Sequence, residues 1–148
     1  MNAAFESFRA DNNIAAIAAA YCLDCIDVAR ANFQMELDGS DASVELVEQM
    51  LAQLHDQLPA ARPTQEQIGA FAKMSGSYVG EVFRLKHGAE WGIVRLGETE
   101  FPGMRSTADG LQFWPWERAY KRITEGAENN IWHYYVALVE NSDGSAPT

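Results

Sequence analysis

The sequence predicts an α+β fold that is mainly helical, with three N-terminal helices packed with a small antiparallel sheet and one or two C-terminal helices. Three observations carry this. Apolar residues recur at three- and four-residue steps through most of the first 88 positions. After Gly88 the pattern changes to short runs rich in Val, Ile and Trp. Asp109-Gly110, a hairpin-turn dipeptide, stands between two of those runs.

The chain is organised around Thr64 to Trp91. Thr64 precedes Gln67 by three positions, the spacing of a capping box, in which each side chain satisfies an orphan N–H at a helix start. Gly88 supplies the residue that commonly ends a helix. Between them Ile68, Phe71, Ser75, Tyr78, Val82 and Leu85 fall on one side. Ala72, Gly76 and Gly80 form a second row of small residues. Two glycines inside a helix cost about 1 kcal/mol each relative to alanine. That cost marks a close approach by another segment, and the alanine-rich stretch Ala15 to Ala20 is the expected one.

Residues 1 to 11 read as a loose start or a short helical lead-in. From Asn12, the positions Ile14, Ile17, Tyr21, Cys25 and Val28 mark a first helix reaching toward Phe33, with Asp24, Asp27 and Arg30 on its wet side. Leu37 to Asp41 is a turn by composition. Ser40 or Asp41 then caps a second helix with the stripe Val44, Val47, Leu51, Leu54 and Leu58, ended by Pro59. Short turns make these two an antiparallel hairpin.

Glu90 to Leu96 reads as a strand with Trp91 and Ile93 inward and Val94 as a further inward candidate. Residues 97–102 read as a loop, 103–107 as a short second strand and 111–114 as a third, giving a two- or three-stranded sheet. Pro115 suits the first position of a helix burying Trp116, Ala119, Tyr120 and Ile123. Arg118, Lys121 and Arg122 form its basic face. Gly126 breaks it, and Glu128 or Asn129 opens a last helix turning Ile131, Tyr134, Tyr135 and Leu138 inward. Residues 1–140 make a single domain, and Asn141 to Thr148 a polar tail expected to be disordered.

The run Gly76-Ser-Tyr-Val-Gly-Glu-Val-Phe-Arg, followed by Gly88 and Trp91, resembles a pattern found in small bacterial domains of unknown function. In those, a G-x-Y-x-G-E-V-x-R helix leads to a G-x-x-W strand, a segment similar to Phe113-Trp-Pro-Trp and a basic helix similar to Lys121-Arg122. The resemblance covers residues 64 to 126 and bears on the fold. It implies no established activity, although some small acidic bacterial proteins of this general kind are immunity partners of toxins.

Composition narrows the function. A chain of 148 residues, 47% hydrophobic, can bury a proper core. Its net charge of −10 argues against binding a nucleic-acid backbone, which calls for clustered cations. The charge is uneven: residues 1–60 hold ten acids against Arg9 and Arg30. Such an acidic half either attracts a basic protein partner or serves as a solvated surface. No apolar window is long enough to predict a membrane span, and the N-terminus lacks signal-peptide character, so a cytoplasmic location is expected.

Cys22 and Cys25 form a CxxC inside a helical pattern with no second pair to complete a zinc site, so both are expected as small core residues. His55, His87 and His133 stand in different segments. No catalytic set, metal site or cofactor motif is found. The favoured expectation is a non-catalytic interaction module, immunity-type or adaptor, meeting a basic partner. The alternative is a small-molecule-binding domain or weak enzyme with a pocket around Glu81, Arg84 and Trp91. Candidate ligand- or partner-binding residues are Glu81, Arg84, Trp91, Trp116 and Lys121. A homodimer formed through the aromatic C-terminal segment is compatible with either.

Overall fold

The structure, a computed structural model, describes residues 6–142. In chain order the elements are β1 (Glu6–Ala10), α1 (Asn12–Phe33), α2 (Ser43–Ala61), α3 (Gln65–His87), β2 (Ala89–Leu96), β3 (Thr99–Ser106), β4 (Gln112–Phe113), α4 (Pro115–Glu125), a 3-10 turn (Ala127–Asn129) and α5 (Ile131–Ser142). The fold is α+β and mostly helical, as expected. The strands form one antiparallel sheet in the order β1-β2-β3-β4.

Helix α3 is the centre of the molecule. Its capping box forms as the sequence indicates, Thr64 Oγ1 accepting from the Gln67 N–H and Gln67 Oε1 from the Thr64 N–H. From Met74 to Phe83 every residue is buried, so the expected single stripe is a helix enclosed on all sides. Leu85, expected inward, is 71% exposed. Each large apolar side chain fully buried here contributes about 1.5–3 kcal/mol.

The two glycines in the small-residue row of α3 do not face α1. A Cβ on Gly76 would lie 2.6 Å from the Pro115 carbonyl oxygen and 2.9 Å from Trp116 Cα. One on Gly80 would lie 2.6 Å from Trp91 Cη2 and 2.8 Å from Met104 Sδ. The glycines admit the N-terminus of α4 and the Trp91 ring. Helix α1 packs on α3 elsewhere, through Ala18, Cys25 and Ala29, while Ile17 turns to solvent.

The lead-in to α1 is a strand: β1 pairs with β2 with Phe8 opposite Val94. The 97–102 loop is instead a tight turn followed by β3, in which Pro102 faces Ile93. Proline is tolerated there because β4 pairs only with Met104 and Arg105, leaving Pro102 at an open edge.

Helix α2 runs through Pro59 to Ala61 and ends on Arg62 in the left-handed region. Proline forfeits its own N–H bond, yet the Arg62 N–H still reaches the Leu58 carbonyl. Its N-cap is Ala42, which has no capping side chain; of the two expected caps Asp41 is engaged elsewhere, while Ser40 Oγ accepts from the Ser43 N–H at 3.2 Å. Helix α5 begins after Asn130, whose Oδ1 accepts from the His133 N–H, and includes Asn141 and Ser142. The rest of the expected tail lies outside the described residues.

Two polar knots fasten the helices, one buried at Glu48 and one half-exposed at Asp41. Arg122, 5% exposed, donates to Glu48 Oε2 at 2.8 Å, and the Ile131 N–H donates to Glu48 Oε1 at 2.9 Å. One carboxylate thereby joins α2, α4 and the start of α5. Asp41 accepts from the Tyr135 hydroxyl and bonds His87 Nε2 at 3.0 Å, tying the loop before α2 to α3 and α5. Burial pushes the Asp41 carboxyl up, but the bonds from Tyr135 and His87 outweigh it and hold it below its ordinary value.

Candidate functional site

Glu81 sits on the buried part of α3 with its side chain 9% exposed. A carboxylate so placed must be hydrogen-bonded to be tolerable, and it is fully engaged. Glu81 Oε2 accepts from Arg84 Nε at 2.7 Å and from Trp91 Nε1 at 2.9 Å, and Oε1 accepts from Arg84 Nη2 at 3.2 Å. The three-residue step from Glu81 to Arg84 places both on one helix face. Trp91 arrives because Gly88, at φ +88°, ends α3 and turns the chain into β2. The bond to Glu81 raises the Arg84 guanidinium above its ordinary pKa.

Arg84 remains 40% exposed at the wall of a cleft of about 450 Å³ between the start of α1, the end of α3 and the start of β2. Glu81, Arg84, Trp91 and Glu90 line it, with Asp11 and Asn12 at the opening of α1 and alanines between. A volume in this range suits a small ligand. Glu81 and Glu90 do not form a carboxylate pair: Arg84 holds the first and Arg105, at 3.1 Å, the second.

The other candidates lie elsewhere. Trp116 is half-buried, donates to Ser77 Oγ at 2.7 Å and leans on Trp91 with ring centroids 5.9 Å apart, outside the cleft. Lys121 pairs with Glu117 at 3.2 Å beside a separate cavity of about 270 Å³ between β4, α4 and α5. The basic face of α4 is largely spent internally, Arg122 on Glu48 and Arg118 over the Tyr134 ring at 4.4 Å. Of the aromatic C-terminal residues, Phe113 and Tyr135 are core, and Trp132 stacks on Tyr135.

Burial pushes the Cys25 thiol up to about 12 and the Cys22 thiol up to about 11. Both are protonated at neutral pH and make poor nucleophiles or ligands. Among the described residues no group of three or more His, Cys, Asp or Glu converges on a metal position. Nor is any described helix long and apolar enough to cross a membrane. The Glu48 and Asp41 knots were not visible in the sequence, since their partners lie 46 to 94 residues away.

No family model matches the sequence, and no curated protein matches it. A solved structure from Bacteroides thetaiotaomicron VPI-5482 superposes with a TM-score of 0.65 at 13% identity. The match covers 92% of this chain and 48% of that one, so the chain spans about half the length of its structural neighbour. A likeness at that identity shows the fold alone.

Proposed function

We propose that this protein is a non-catalytic interaction module of the immunity or adaptor kind, acting in the cytoplasm, that meets a basic protein partner over the outer face of α1. The observation that carries this reading is the make-up of that face. Its solvent-facing arc carries Ala16, Ile17, Ala20 and Leu23 together with Asp24 and Asp27. Leu23 is 65% exposed and Ile17 43%, and Leu85 on the neighbouring α3 is 71% exposed. Exposed apolar residues set among acids are what a partner-facing surface requires. Asp24 and Asp27 form no ion pair among the described residues, while both cations of the first 60 residues are engaged, Arg9 with Glu100 and Arg30 with Glu36. Arg30 feels the charge of Asp27 one turn away, but forms its ion pair with Glu36, so the face stays net negative.

The test is capture from native lysate by the immobilised protein, at low and high salt, beside the variants Leu23→Glu and Asp24→Lys/Asp27→Lys. A basic protein retained near one-to-one, and lost with either variant or at high salt, is the expected outcome. Equal retention by the variants, or no retained protein, would overturn the reading.

The cleft favours a second reading, a small-molecule-binding domain centred on Glu81, Arg84 and Trp91. What supports it is that three candidates distant from α1 in sequence line one cavity with α1.

A further inference from the structure

A surface arginine needs no buried carboxylate behind it, and burying one is costly unless it is fully paired. Here Glu81, itself steadied by the Trp91 indole, holds Arg84 through Nε and Nη2. That grip fixes the plane of the guanidinium and leaves Nη1 without a bond to any described residue. A fixed guanidinium edge at a cleft wall is a receptor for a carboxylate, since little side-chain freedom is lost on binding.

The 22-residue helix α1 begins in the same cleft, with Asp11 and Asn12 in its wall, and the Asp11 carboxylate caps it, Oδ1 accepting from the Asn13 and Ile14 N–H groups and offsetting the positive end of the helix. The cleft is not uniformly positive. Asp11 and Glu90 also line it; Arg105 holds Glu90 Oε1 at 3.1 Å, and the Glu90 side chain, 50% exposed, keeps Oε2 without a bond to any described residue. A simple anion would meet these carboxylates. A molecule carrying an ammonium group beside its carboxylate would satisfy both sets. The walls between are alanines, which leave room close to the backbone.

We propose that this cleft binds a free α-amino acid, its carboxylate on Arg84 and its ammonium group against Glu90 and Asp11. The inference rests on the small-molecule reading of the cleft and names the class of ligand.

The experiment follows the Trp91 Nε1–H and Arg84 Nε–H resonances of the ¹⁵N-labelled full chain by NMR, because both groups donate to Glu81 Oε2. The common L-amino acids are titrated one at a time. The best responder is then compared with its deaminated acid and its decarboxylated amine. A saturable shift with the amino acid, weakened about tenfold or more for each half-ligand, is expected. Arg84→Gln should abolish it, and Arg84→Lys should retain part of it. Both variants alter the exposed end of the pair and leave the Trp91–Glu81 bond available. If a half-ligand binds as well as the amino acid, or Arg84→Gln binds unchanged, the amino-acid assignment falls while the cleft stands as a small-molecule site. If neither resonance responds to any of these compounds, both fall.

Discussion

Three glycines on one helix show how differently the same residue is used. Gly69, in the first turns of α3, has open space where a Cβ would stand. There Gly69→Ala relieves the entropy cost of glycine in a helix and should stabilise the protein by about 0.4–1 kcal/mol. Gly76→Ala drives a methyl into the Pro115 backbone, which cannot step aside as a side chain would. Gly80→Ala meets the Trp91 ring and the Met104 sulfur. Both should destabilise by about 1–3 kcal/mol, the range of an overpacked core. Urea unfolding midpoints decide it, and a Gly76→Ala as stable as Gly69→Ala would contradict the packing described. The four-residue repeat of small residues told the sequence reader that something comes close to α3. It did not tell what, because the visitor is a proline carbonyl 39 positions further on and the ring of Trp91. The Glu81–Arg84 pair was legible for the opposite reason: its partners are neighbours on a single helical face.

At the scale of elements, the helices were readable because each carries its own stop and start chemistry or a repeating stripe. Thr64, Gln67 and Gly88 act where the sequence places them. The sheet was harder. Glu6 to Ala10 has no alternation long enough to distinguish a strand from a lead-in, and it becomes one by finding the free edge of β2. Gly92 makes that possible. A Cβ there would collide with the Arg9 carbonyl and lie 2.7 Å from Phe8 Cζ. Gly92→Ala should therefore lift β1 from β2 while the α2–α4–α5 knot at Glu48 holds. Hydrogen exchange would show lost protection of β1–β2 amides with helix α2 amides unchanged. Retained β1 protection in that variant would mean the sheet tolerates the methyl by shifting register. The cleft's third wall was unreadable on the same account, since it forms only once β1 delivers Asp11 and the start of α1 beside Trp91.

Over the whole molecule, the net charge of −10 sets folding against binding. Like charges repel in the compact state, and the acids of α1 have no ion-pair partner among the described residues to offset this. If Asp24 and Asp27 are kept for a partner, they sit at some cost to stability, and replacing them should expose the trade. Asp24→Lys/Asp27→Lys should melt higher than the unaltered protein at low ionic strength, where the screening length is about 30 Å at 0.01 M. The gap should shrink toward zero near 1 M salt, where that length is about 3 Å. The same variant should lose the captured basic protein. Thermal unfolding at the two salt concentrations, run beside the capture experiment, separates the possibilities. A variant more stable yet unable to bind identifies these acids as a binding face. A variant less stable at low salt would show that they support the fold. One more stable that binds as before would reduce the acidic half to a solvated surface and move the search for function to the Arg84 cleft.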